Sequence, residues 1–312
     1  MMIDAFADII ESLRLLLAPV PGFHTVTVAP YMFRPFVLLT VLALVVGPVA
    51  TIVNLRRLEF NAETMVHSVF PGIVVGAIVG GSDAIIPGAA LVAVLVTIAL
   101  TWASRRASIM EGGTAVILTS FFSLGIIISL KKGDMSGQLE ALMFGRLLEV
   151  TNARLLQALA VCTIALVLIW ATWKEQVFVA HDRDGARAVG INTTIVDIVI
   201  NAAVGAVVVS ASSAVGVLLV IGYLVVPGAA ARLLSVRTTH MVIIATLVAL
   251  VGGWAGMEWM NAPSPRPVSP QAAVALSIIA VFAISVVIAR IAERWTGIRL
   301  PHSPREATAV RP

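Results

Sequence analysis

The chain has 312 residues, of which 59% are hydrophobic and only 12% charged, with a formal net charge of +4 at pH 7. A water-soluble domain carries about 25% charged residues, so this composition, with a mean hydropathy of +1.00, excludes a soluble fold and points to an all-α, polytopic membrane bundle. The one cysteine, Cys162, excludes an intrachain disulfide and a cysteine metal cluster, and the modest positive charge is what cytoplasmic loops require, with no reason to invoke nucleic acid.

The chain opens on MMIDAFADIIESLRLLLAPV, which lacks a basic start and carries Asp4, Asp8 and Glu11. It does not read as a cleavable signal. Its apolar positions recur at helical spacing, which predicts an amphipathic interfacial helix within a segment 1–30. Nine apolar runs follow, at about 33–53, 61–80, 84–102, 113–130, 154–173, 192–210, 214–231, 240–260 and 271–290. A helix needs about 20 such residues to cross the hydrocarbon core. Glycines and Pro87 interrupt the second and third runs, and only ASS separates the sixth from the seventh. The expectation is a transmembrane domain over 31–292 with about eight or nine spans, then a basic cytoplasmic tail over 293–312.

Lys and Arg set the orientation. With Arg56 and Arg57 in the cytoplasm, that side also receives Arg105, Arg106, Lys174, Arg183, Arg187, Arg232, Arg237 and the tail, twice as many basic residues as the outside. Between the fourth and fifth runs, 131–154 is polar and leaves room for a short embedded helix in LEALMFGRLL.

The stretch RRLEFNAETMVHSVFPG, 56–72, spends ionisable groups beside a membrane-length run. Residues four apart on a helix lie about 40° apart in projection. Glu59, Glu63 and His67 therefore form one stripe, with Asn61, Thr64 and Ser68 read as a neighbouring strip. Ionisable groups at membrane depth are costly unless paired or placed on a path. Two readings stay open: a carboxylate–imidazole pair that fixes helix packing, or part of a coordination shell for Mn²⁺, Zn²⁺ or Fe²⁺. Gly72, Gly76 and Gly80 space small residues four apart, which favours close helix approach.

Two later stretches stand out. KEQVFVAHDRDGARAVGINTT, 174–194, is the most polar internal segment and falls on the cytoplasmic side. Within it DGARAVG suits one or two helical turns, with Asp184 near the start and Gly190 as the stop. LLVIGYLVVPGAAARLLSVR, 218–237, carries Pro227, expected to break or kink a span near its inner end, followed by Gly228 and small residues that permit tight packing. Absences also exclude functions. There is no GxxxxGK[ST] phosphate loop and no HExxH, and too few ionisable groups lie within the runs for a carboxylate proton relay.

Three stretches in order, LRRLEFNAETMVHSVFPG, FVAHDRDGARAVGI and YLVVPGAAARLLS, resemble the integral-membrane permease family of bacterial manganese, zinc and iron ABC importers (ABC-3 type). The family places an arginine-containing turn after its first span, then Gly-Asp, a histidine four residues beyond the aspartate, and Pro-Gly. Arg56, Arg57, His67, Pro71 and Gly72 match; Ala62 stands where glycine is usual and Glu63 where aspartate is usual. Residues 178–191 resemble the cytoplasmic coupling loop, and 225–234 resemble its IIPAATARLL stretch. The similarity runs from about residue 35 to 290; the Pro-rich loop 261–270 and the longer N-terminus depart from the family.

The resemblance implies a multi-pass permease of the bacterial cytoplasmic membrane, without enzymatic activity of its own and without a permanently bound cofactor. It would form the ion path with a second permease, identical or a related sister. Separate ATPase subunits would dock at the coupling segment, here Asp182, Arg183, Asp184, Arg187 and Gly190. An extracellular metal-binding protein would deliver the cargo, and the lipid would surround the bundle. Glu63 and His67 would be the metal-coordinating pair, with Glu59 and Asn61 as further donors. Two rival functions differ in what they require. A permease for a metal chelate such as a siderophore or corrinoid needs a wide path and no coordinating side chains. A secondary transporter would be expected to show an internal repeat with paired broken helices, and no clear repeat is visible.

Overall fold

The computed structural model of the protein describes residues 2–105, 110–131, 143–212, 216–262 and 268–296, and among them every regular element is helical. The tail beyond 296, residues 132–142 with the first part of LEALMFGRLL, Arg106 and the middle of the Pro-rich loop fall outside the described residues. Helix α1 (Met2–Leu17) leads through a one-turn α2 (His24–Thr27) to the first long apolar helix, α3 (Pro30–Leu55). The Arg14 guanidinium clasps the Glu11 carboxylate with two bonds, 2.9 and 2.5 Å, and donates to the Thr27 carbonyl at 2.5 Å. The bonds from Arg14 hold the Glu11 carboxyl below its ordinary range, and the bond to Thr27 ties α1 to α2. Most apolar side chains of α1 away from Ile10 are exposed, among them Ile9, Leu15 and Leu16, as an interfacial helix requires.

Among the described residues seven helices are long and apolar enough to cross a membrane, and Leu219–Leu234 is a shorter apolar helix. One of the seven, the 46-residue stretch Glu59–Ser104, folds back on itself. It comprises α4 (Glu59–Ser68), α5 (Phe70–Gly80), a 3₁₀ turn and α6 (Ile85–Ser104). Pro71 has no N–H to give to the preceding turn, so the helix breaks at Val69 and restarts. Gly81, at φ +65°, turns the chain, and α6 returns against α5 with backbone in contact at Gly72–Gly88 and Gly76–Ala84. Counting the two limbs separately yields nine apolar segments in the order read from the sequence. The others are α7 (Met110–Lys131), α8 (Asn152–Ala171), α11 (Thr193–Ser212), α12 (Val217–Leu234), α13 (Thr238–Asn261) and α14 (Pro270–Thr296). Between α8 and α11 lie two short helices, α9 (Trp173–His181) and α10 (Arg183–Ala188).

Helix α3 is the centre of the bundle and is buried almost all round from Leu38 to Asn54, with α8, α11, α12 and α13 against it. Small residues and buried polar bonds set these contacts, as expected where lipid supplies no hydrophobic drive between helices. The Tyr223 hydroxyl donates to the Leu39 carbonyl at 3.1 Å and lies 3.4 Å from the Ala249 carbonyl, joining α12 to α3 and α13. Gly252 and Gly256 let α13 meet α14 at Ile278 and Val274. Pro227 lies inside α12 and does not break it: the helix continues to Leu234. Proline removes one backbone bond, and packing against neighbouring helices keeps the run intact. By contrast α7 is an outlier, packed on α4, α5 and α6, with Val116, Leu124, Ile127 and Leu130 exposed.

Long-range bonds gather two opposite ends. At one end Arg154 donates to the Ser82 carbonyl at 2.8 Å, Thr151 bonds Asp83 at 3.2 Å, and the Gln271 amide bonds the Gly145 carbonyl. At the other end Asn54, Arg56, Gln176, Arg183, Asp197 and Arg232 converge. The segments assigned to the cytoplasm from Lys and Arg thus meet in space at one end of the bundle.

Candidate functional site

Helix α4 displays its ionisable stripe outward. Phe60 and Glu63 are exposed and His67 is half-buried, while Ala62, Met65 and Val66 are buried against the protomer's own core. The His67 ring meets the Phe122 ring of α7 edge-on, centroids 5.4 Å apart. Its Nδ1 atom is buried with no hydrogen-bond partner among the described residues, and Glu63 stands one turn before it on the same helix. An imidazole nitrogen without a partner, beside a carboxylate, is a donor set suited to a divalent first-row cation.

The proposed extra donors are placed differently. Glu59 accepts from the Asn54 amide at 3.2 Å and stays at the arginine-rich end. Asn61 lies two residues before Glu63, which at about 100° per residue puts it roughly 160° round the helix, away from the Glu63–His67 face. At the same spacing Asn61 falls within about 60° of Thr64 and Ser68, on the strip read for the three, and it is half-buried. Thr64 and Ser68 turn inward, and their buried hydroxyls have no partner among the described residues. Among the described residues no three His, Cys, Asp or Glu side chains gather as a metal site. The chain therefore brings two donors to one face of α4, Glu63 exposed and His67 half-buried with its Nδ1 atom inside.

The segment expected to meet the ATPase subunits contains a capped helix. Asp182 is the N-cap of α10, accepting from the Gly185 N–H at 2.8 Å, so the cap falls two residues before Asp184. Gly190, at φ +89°, ends the segment in the left-handed region that glycine enters without strain. Asp184 and Arg187 pair at 3.1 Å on the surface. Arg183 turns inward: it grips both carboxylate oxygens of Asp197, at 3.2 and 2.5 Å. Asp197, only 5% exposed at its side chain, also accepts from Arg56. Burial draws the Arg56 guanidinium down from its ordinary range, and the Asp197 charge pushes it back. Fully buried Gln176 completes the node, accepting from Arg56 at 2.9 Å and donating to the Val196 carbonyl at 2.9 Å.

Asp197, Gln176 and Asn54 were not singled out in the sequence, and Arg232 entered only as a cytoplasmic charge. Asp197 had a signal: it is a carboxylate inside the apolar run TTIVDIVINAAVG, where an ionisable group implies a partner. Gly228 packs within the protomer, since a Cβ on it would stand 2.4 Å from the Ala50 carbonyl oxygen of α3. Beside α9 an open cleft of about 510 Å³ is lined by Trp173, Lys174, Val177, Phe178, His181 and Thr238.

Known proteins are similar to this chain in sequence and in fold. The chain is 25% identical over 228 residues to the manganese transport system membrane protein MntC of Halalkalibacterium halodurans, covering 73% of this chain and 77% of that protein. It is 25% identical over 222 residues to the chelated iron transport system membrane protein YfeC of Yersinia pestis, covering 71% and 74%. Among solved structures, PsaBC from Streptococcus pneumoniae in complex with Fab superposes with a TM-score of 0.76 at 22% identity, over 88% of this chain and 98% of that one, a likeness of fold. The model of the ABC 3 transport family matches residues 28–289, and the chain belongs to that family of integral membrane proteins.

Proposed function

We propose that this chain is the permease subunit of an ATP-driven importer of a bare divalent cation, Mn²⁺, Fe²⁺ or Zn²⁺, in the bacterial cytoplasmic membrane. One observation carries the reading: a carboxylate and an imidazole, Glu63 and His67, share an outward face of a membrane-spanning helix. A carboxylate turned toward hydrocarbon is unfavourable by several kcal/mol, so this face calls for a cover that is not lipid. A second permease, identical or a sister, supplies one. Related by a two-fold axis, two copies would bring two carboxylates and two imidazoles to one path. Carboxylate attracts the cation, and imidazole discriminates against Mg²⁺ and Ca²⁺, which prefer oxygen. Few donors keep binding weak enough for release.

Separate ATPase subunits would dock at the arginine-rich end, on the exposed Asp184–Arg187 face of α10 and the cleft beside α9. An extracellular metal-binding protein would deliver the cargo at the opposite end. A chelate would need no coordinating side chains, so the Glu63–His67 pair favours the bare ion. The test is isotope uptake of Mn, Fe and Zn by cells with and without the gene, repeated with Glu63→Ala, Glu63→Gln, Glu63→Asp and His67→Ala. Uptake of one metal should vanish with Ala or Gln at full membrane abundance, and Glu63→Asp should retain part of it. Normal uptake in His67→Ala would return the pair to a packing role.

A further inference from the structure

We propose that the Asp197 carboxylate is a latch that makes the coupling segment and the metal-bearing helix α4 move as one body, with Arg183 and Arg56 as its two positioning residues. The inference rests on the proposed function and adds to it the route by which movement at α10 reaches Glu63 and His67.

The geometry is a chain of named contacts. Arg183 opens α10 and holds Asp197 with a two-bond fork. Asp197 holds Arg56, the C-cap of α3. Arg57 follows at φ +55°, the one non-glycine residue with positive φ among the described residues. Two residues later α4 begins, with Glu63 and His67 on its second and third turns. Both flanks of this joint are held. The Leu58 N–H bonds the Val53 carbonyl at 2.9 Å. Asn54 donates to Glu59 at 3.2 Å and accepts from Arg232 at 2.9 Å through its carbonyl and 3.2 Å through its side chain. A joint strained at Arg57 and bonded on both sides does not absorb displacement, so a push on α10 passes through Asp197 and Arg56 into α4.

The charges also separate the latch from the fold. Arg56 and Asp197 are both 5% exposed at their side chains, whereas Arg183 is 35% exposed. Removing Arg183 leaves the buried Arg56–Asp197 pair complete. The bundle should therefore survive the loss of Arg183 while the tie to α10 is cut. Arg183 points into the protein, away from the exposed Asp184–Arg187 face assigned to ATPase docking.

Two measurements on Arg183→Gln decide the matter. In the purified permease, hydrogen exchange of the 183–191 amides should quicken by about tenfold, with α3 and α11 unchanged. In the importer reconstituted in proteoliposomes with its ATPase and metal-binding subunits, metal taken up per ATP hydrolysed should fall by about fivefold or more while hydrolysis continues. Arg183→Lys, which keeps one charged bond to Asp197, should restore much of the ratio. An unchanged ratio overturns the latch. So does a proportional fall of hydrolysis and uptake, which would make Arg183 a docking contact, and so does unchanged exchange. If the wild-type importer moves no metal, the proposed function fails, and the exchange measurement still decides whether Arg183 ties α10 to the bundle.

Discussion

Gly72 and Gly88 face each other across the α5–α6 hairpin, and the contact is reciprocal. A Cβ on Gly72 would stand 2.4 Å from the Gly88 carbonyl oxygen, and one on Gly88 would stand 2.5 Å from the Gly72 carbonyl oxygen. The two limbs are therefore in backbone contact, with no side chain able to yield. Gly72→Val should destabilise the fold by about 1–3 kcal/mol or prevent the hairpin from closing. Gly112→Ala in α7 is the control, because nothing lies within 4 Å of its Cβ position. The measurement is the yield and unfolding temperature of detergent-purified protein: Gly72→Val should lose both, and Gly112→Ala neither.

Asp197→Ala should be among the most destabilising changes in the chain. It strands the Arg56 guanidinium, which is 5% exposed, and a buried charge that loses its partner costs about 3–5 kcal/mol. Asp184→Ala breaks an ion pair whose side chains are 55% and 91% exposed, and such surface pairs contribute about 0–1 kcal/mol. Thermal unfolding of the two variants side by side checks the contrast. Similar midpoints would mean that the Asp197 node is solvated.

Gly228→Leu should lose folded protein even where a second permease is absent, because the clash with Ala50 lies inside one protomer. Ala229, its half-buried neighbour, should accept leucine better. Size-exclusion profiles of the two variants distinguish the cases. Well-folded but dissociated Gly228→Leu would place this contact between protomers instead.

The ends of α10 should each contribute locally. Asp182→Ala removes the side chain that caps the Gly185 N–H, at a cost of about 1 kcal/mol. Gly190→Ala forces a Cβ into φ +89°, at a cost of about 1–2 kcal/mol. Hydrogen exchange should quicken between 183 and 191 in both variants and stay unchanged in α3. Spread of the effect into the bundle would show that α10 is integral to the core.

Much of the fold and half of the candidate site were legible in the amino-acid sequence, for reasons that are local. Hydrocarbon demands helices of about 20 apolar residues, so the nine runs could be counted. Helical geometry puts residues four apart on one face, so Glu63 and His67 could be paired before any neighbour was known. Gly190 as a stop also follows from backbone chemistry within a few residues. The tertiary structure alone decided which way each face turns. In a membrane chain the lipid side and the protein side are both apolar, so hydropathy does not tell the buried face of α3 from the exposed face of α7. Spacing on one helix does not reveal what another helix brings to it. Arg56 and Asp197 meet across 141 residues and Arg232 reaches Asn54 across 178. Arg183, grouped by sequence with the docking residues around it, turns toward the buried carboxylate of Asp197. Glu63, read as part of a buried pair or path, faces outward because α4 spends its other sides on the protomer's own core.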